Sequence, residues 1–167
     1  MRDDVAPIFT IIALLCGLAL VLLPFIGFFV YVFYQNSKRK GIRGRMLREA
    51  GQLGGNQRSY PVRYASEARF KAFFKIFPWE GAGVIIVAPA LLHFMGETFS
   101  GRRVDLQLTP ANSRLNWLGK CPWPNGAVSW FEAVTAEGKH YFTSETGVLI
   151  FGSHATTKAL HDEVLRG

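Results

Sequence analysis

The 27 residues IFTIIALLCGLALVLLPFIGFFVYVFY, numbers 8–34, decide the plan of this chain. Eighteen of them are Leu, Ile, Val or Phe, and no charged residue occurs anywhere in 5–35. As a helix the segment measures about 40 Å at ~1.5 Å per residue, against a hydrocarbon core of about 30 Å. One tilted span fits that thickness and two do not. Each large apolar side chain favours insertion by roughly 0.3–0.6 kcal/mol at the helix centre, so residues 1–37 are expected to form a transmembrane anchor.

A cleaved signal peptide has a basic start, a shorter apolar run and a small-residue cleavage site. This chain opens Met1-Arg2-Asp3-Asp4 and runs longer, which points to a retained anchor. Leu14-Leu15-Cys16 places Leu rather than a small residue before the cysteine, against a lipoprotein box. Pro24 removes a backbone donor in mid-span and predicts a kink, while Gly17 and Gly27 permit close approach of a neighbouring helix. A Pro-centred hairpin is the competing reading, but each of its arms is too short to span.

Charge gives the anchor a direction. Residues 35–75 hold eleven cations against Glu49 and Glu67, so the net charge of +7 sits in the middle of the chain and both ends are close to neutral. Six cations follow the apolar run directly: Lys38, Arg39, Lys40, Arg43, Arg45 and Arg48. Positive-inside logic then places the N-terminus outside and the C-terminal domain in the cytoplasm. The same six are the expected contacts to anionic lipid of the cytoplasmic leaflet, each contributing about 1 kcal/mol. A basic run fixed that close to lipid already has its partner, so nucleic acid is not expected. Cys16 lies in the span and Cys121 in the domain, an unpaired arrangement that agrees with a reducing compartment.

Residues 38–63, with Gly41, Gly44, Gly51, Gly54, Gly55, Asn56 and Pro61, read as a basic juxtamembrane linker containing a short helix near 46–50. In residues 64–79, Phe70, Phe73, Phe74 and Phe77 recur at i, i+3, i+4 and i+7, which predicts an amphipathic helix with Ser66 as N-cap and Pro78 as its stop. Such a helix would lie in the membrane interface or dock on a partner. The competing readings are a helix whose Phe face covers the core of the following domain, and a strand with Phe70, Ala72, Phe74 and Ile76 on one side.

From 80 to 167 short apolar runs alternate with turn residues. Strands are expected at 84–87, 90–95, 103–108, 115–118, 127–135, 139–143 and 148–151. Val104, Leu106 and Leu108 should face a core, and an amphipathic helix is expected over 155–166. Successive strands closed by one terminal helix define a mainly-β small barrel or sandwich.

The run Gly83-Val84-Ile85-Ile86-Val87 leading into Leu91-Leu92-His93-Phe94-Met95-Gly96, then Gly138-Lys139-His140-Tyr141-Phe142 and the terminal helix, resembles the pleckstrin-homology superfold and within it the GRAM-like group. The resemblance covers roughly residues 81–165 and implies a domain that binds phospholipid headgroups or proteins. Phosphoinositide-binding members resemble one another in placing Lys and Arg along the first two strands, whereas residues 84–96 contain neither.

Catalytic signatures are missing. His93, His140, His154 and His161 have no recognised metal spacing, and no Gly-x-Ser-x-Gly, Cys-x-x-Cys or Walker loop occurs. No metal, cofactor or enzymatic activity is expected. Trp123, flanked by Pro122 and Pro124, is a candidate partner anchor beside Phe70, Phe73, Phe74 and Phe77. The resulting expectation is a non-catalytic, membrane-anchored assembly or scaffold protein, an accessory subunit gripping membrane-protein partners through its span and cytoplasmic domain. The alternative is a lipid-binding module that reads anionic membrane through the basic segment and the Phe-rich helix.

Overall fold

The computed structural model describes residues 5–52, 57–122, 124–145 and 153–166, with side chains from residue 12 onward. Two compact units result, residues 1–37 and 38–167. The first is the apolar part of helix α1 (Val5–Gln52), in which Leu20, Phe33 and Leu14 are each about two-thirds exposed or more. Its most apolar 18-residue window has a mean hydropathy of 2.7, and none of it is buried. Among the described residues this is the one helix long and apolar enough to cross a membrane. Pro24 lies inside the helix without ending it.

The second unit is built on a curled antiparallel sheet of seven strands, a half-barrel. The strands are β1 (Arg58–Ser66), β2 (Gly81–Ala88), β3 (Leu91–Thr98), β4 (Arg103–Leu108), β5 (Ser113–Lys120), β6 (Ser129–Thr135) and β7 (Gly138–Ser144). Their order is β4-β3-β2-β1-β7-β6-β5, so two meanders meet where β7 returns to β1, leaving β4 and β5 at the edges. Helix α3 (Ser153–Arg166) packs against β5, β6 and β7.

Alternation puts Val62 and Tyr64 of β1, Ile85 of β2, Phe94 of β3, Phe131 of β6 and Phe142 of β7 into the concave core, where Leu160 of α3 joins them. The Phe94 ring lies 5.3 Å from Tyr64 and 4.9 Å from Phe142. Each fully buried side chain of this size contributes roughly 1.5–3 kcal/mol.

The convex face is also covered, by two different segments. The part of α1 from Lys38 onward sets Ile42 and Met46, one turn apart, on Ala82, Val84, Ile86 and Met95. Residues 67–79 cover Ala65, Val128, Trp130 and Tyr141. Burial on both faces explains why β2 reads as a continuous apolar run rather than an alternating one.

This arrangement corrects the expected linker over 38–63. Residues 38–52 are helical and 58–66 form β1. Gly41, Gly44 and Gly51 each weaken a helix by about 1 kcal/mol, but burying Ile42 and Met46 to 0% and 2% exposure offsets that cost. Strand β1 does carry a period-two signal, Tyr60, Val62 and Tyr64, which Pro61 disguises. Pro61 is tolerated because pairing with β7 begins only at Val62. The expected strands at 84–87, 90–95, 103–108, 115–118, 127–135 and 139–143 correspond to β2 through β7, while the one at 148–151 lies outside the described residues.

Candidate functional site

The predicted helix over 64–79 is reduced to α2 (Glu67–Lys71), with Ser66 as its N-cap accepting from the Arg69 amide at 3.4 Å. Backbone geometry turns extended at Ala72 (φ −59°, ψ 131°). Two features stop the helix there. Lys75 folds back and its Nζ donates to the carbonyls of Arg69 (3.0 Å) and Phe70 (2.7 Å), at the end of α2, and also to Asn125 Oδ1. Phe70 meanwhile lies flat on Tyr141, centroids 3.8 Å apart at 3°, with its edge toward Trp130.

The far side of the loop is pinned as well. Phe77 stacks on Trp79 at 5.5 Å, and the Arg69 guanidinium donates to the Phe77 carbonyl at 2.8 Å. Trp79 in turn lies beneath the buried Arg63 guanidinium, 4.2 Å from its ring centre. Burial pulls the Lys75 ammonium below its ordinary pKa, with the nearby Arg69 charge adding to the effect.

Between these pins the chain projects outward. Phe73, Phe74 and Ile76 are 63%, 91% and 57% exposed, with the first two rings edge to face at 5.0 Å. The four phenylalanines singled out in the sequence therefore split: Phe70 and Phe77 hold the loop down, and Phe73 and Phe74 are displayed. Lys75 did not stand out in the sequence, and Ile76 did so only in the strand reading. Ile76 falls off the helical period, and the staple made by Lys75 depends on Asn125, fifty residues away. Trp123 lies outside the described residues.

The stapled loop supports a direct test. Lys75→Met keeps the stem length but leaves two carbonyls without the charged donor, a change of about 1–3 kcal/mol. Amide exchange over 67–79 should accelerate while β2 and β3 keep their protection.

The basic segment is largely engaged within the domain. Arg39 and Arg43 reach the Glu145 carboxylate at 3.1 and 3.5 Å, and the Glu145 side chain is only 1% exposed. Arg45 meets Glu97 at 2.7 Å, and Lys38 donates to the Phe99 carbonyl. Lys40 and Arg48 are exposed. Burial lowers the pKa of Arg39, and it brings that of Arg63 down to about 10, with the neighbouring Arg39 charge pushing the same way. Four of the six cations expected at lipid are thus part of the seam that fastens α1 to the sheet.

The histidines are separate from one another in role. His93 meets Asp105 at 2.7 Å, His140 meets the Tyr64 hydroxyl at 3.1 Å, His154 meets the Ser129 hydroxyl at 2.8 Å, and His161 sits 3.4 Å from Asp162. Among the described residues no group of three or more His, Cys, Asp or Glu could hold a metal ion. At the opposite end of β2 from the loop, a cavity of about 480 Å³ opens among Leu92, Leu108, Leu115 and Val164. Comparison with protein-family models, curated proteins and solved structures finds no match to this chain.

Proposed function

We propose that this is a non-catalytic, single-pass, membrane-anchored interaction protein, an accessory or scaffold subunit of a larger membrane complex, with its N-terminus outside and its domain in the cytoplasm. The observation that carries the reading is the pinned loop displaying Phe73, Phe74 and Ile76. Leaving three large apolar side chains in water forgoes roughly 1.5–3 kcal/mol each. A staple, two aromatic stacks and a guanidinium hold them there in a defined position, which suits a contact surface better than a loop with no task.

A GRAM-like identity for the domain is part of this proposal. Its support is the curled meander closed by a terminal helix, the architecture that the resemblance implies. The protein-partner version is favoured over headgroup reading for two reasons. Of the first two strands, β2 has no Lys or Arg, and in β1 Arg63 is buried and Arg58 meets Glu163 at 2.5 Å, while most of the basic segment is paired within the domain.

Purification of the full chain from its native membranes in a mild detergent tests the proposal. The expected result is a stoichiometric companion protein, whose yield falls when Phe73 and Phe74 are both changed to Asp. A monomer without companions, with or without those substitutions, contradicts it.

A further inference from the structure

We infer that the Phe73-Phe74-Ile76 tip inserts into the interface of the lipid bilayer that holds α1, making a second membrane contact that fixes how the domain is turned. The inference rests on the contact-surface reading above and names what the tip meets.

Three observations point to lipid. The first is shape: Phe74 is 91% exposed even though the Phe73 ring lies edge to face with it at 5.0 Å, so almost all of its surface stands clear of the protein. Protein hot spots instead pack side by side within a patch, whereas a fluid phase closes around a projecting ring without needing a matched pocket. The second is charge. Of the cations beside the tip, Arg69 and Lys75 are turned onto backbone carbonyls, whereas Lys71, 2.6 Å from Glu67, keeps its side chain 70% exposed. An apolar tip beside an exposed cation is the pattern suited to an anionic interface.

The third is chain continuity within the domain. Lys38, the first residue of the second unit, donates to the Phe99 carbonyl. Phe99 packs both against the Ile42 cluster and against the Trp130 cluster that seats Phe70 and Phe77. The loop therefore belongs to the margin of the domain where the chain enters it. Gln35, Asn36 and Ser37 separate Lys38 from the apolar run that ends at Tyr34, a covalent reach of at most about 14 Å at ~3.5 Å per residue. A surface tethered that closely is present at high effective concentration, so modest apolar burial suffices to hold it.

The test uses the full chain with Cys16→Ser and Cys121→Ser, carrying Phe74→Cys labelled with an environment-sensitive fluorophore. It is reconstituted in vesicles of phosphatidylcholine with one third phosphatidylglycerol. Arg114→Cys, on an exposed position of β5, is the reference. The expected result at 74 is a blue-shifted emission, quenched by lipids spin-labelled near the glycerol end of the acyl chain and shielded from aqueous iodide, with the reverse at 114. A blue shift at 74 without lipid quenching means that protein covers the tip: the lipid inference fails and the contact-surface reading stands. Iodide quenching at 74 equal to that at 114, both here and in native membranes, overturns the two together.

Discussion

Gly83→Ala is expected to destabilise the domain by about 3 kcal/mol or more, beyond the usual overpacking cost because backbone has to move. In a domain of this size that corresponds to a fall in Tm of roughly 10 °C. A Cβ at Gly83 would stand 2.6 Å from a Phe94 ring carbon and 2.7 Å from the Gly96 Cα. Gly83 and Gly96 are paired across β2 and β3, and their missing side chains make the floor on which the Phe94 ring lies. Neither β2, an interior strand, nor the ring, enclosed by Tyr64 and Phe142, has room to retreat. Gly44→Ala is the informative contrast. Its Cβ would meet nothing closer than an Arg48 guanidinium nitrogen at 3.8 Å, and the helix should gain up to about 1 kcal/mol. Thermal melts of the two variants in the same detergent, followed by near-ultraviolet circular dichroism, should move in opposite directions.

The second large effect is at Glu145. One buried carboxylate faces Arg39 and Arg43, with the buried Arg63 charge close enough to be felt. Glu145→Gln leaves guanidinium groups buried without their counter-charge, and removing one partner of a buried pair costs about 3–5 kcal/mol. Because this pair fastens α1 to the sheet, the loss should be local in character. Amides of residues 38–52 are expected to lose protection against exchange before those of β2 and β3. Adding Arg39→Met to Glu145→Gln should recover part of the stability, since an apolar side chain leaves less charge unpaired.

Much of this fold was legible in the sequence wherever one element announces itself locally. The uncharged run produces the apolar half of α1. The alternation at Val104, Leu106 and Leu108 produces β4, and Gly138, at φ +130°, marks the turn into β7. What escaped was decided by distant partners. Glycines at 41, 44 and 51 suggested a linker, and only the apolar seat provided by Ala82, Val84 and Met95 makes that stretch a fixed helix. The i, i+3, i+4, i+7 spacing of the phenylalanines predicted one face. Tyr141 and Trp130 take Phe70, Trp79 takes Phe77, and the backbone between them unwinds to satisfy both.

The basic segment teaches the same lesson about the site. Six cations after an apolar run carry an orientation signal on their own, but their counter-charges Glu97 and Glu145 lie about fifty and one hundred residues further on. Spacing alone could not assign them to the seam. The four phenylalanines were recognised as a group, while the division between those that hold and those that are displayed required the folded sheet.

The central claim, that the domain uses the Phe73-Phe74-Ile76 tip as a contact surface, is tested most directly by alkylation in native membranes. Phe74→Cys and Arg114→Cys, each in the Cys16→Ser, Cys121→Ser background, are exposed to a charged maleimide in membranes opened by brief sonication. A thiol at 74 is predicted to react far more slowly than one at 114, although both positions are exposed in the isolated chain. Equal rates would mean that the tip stands in water, and would contradict the account.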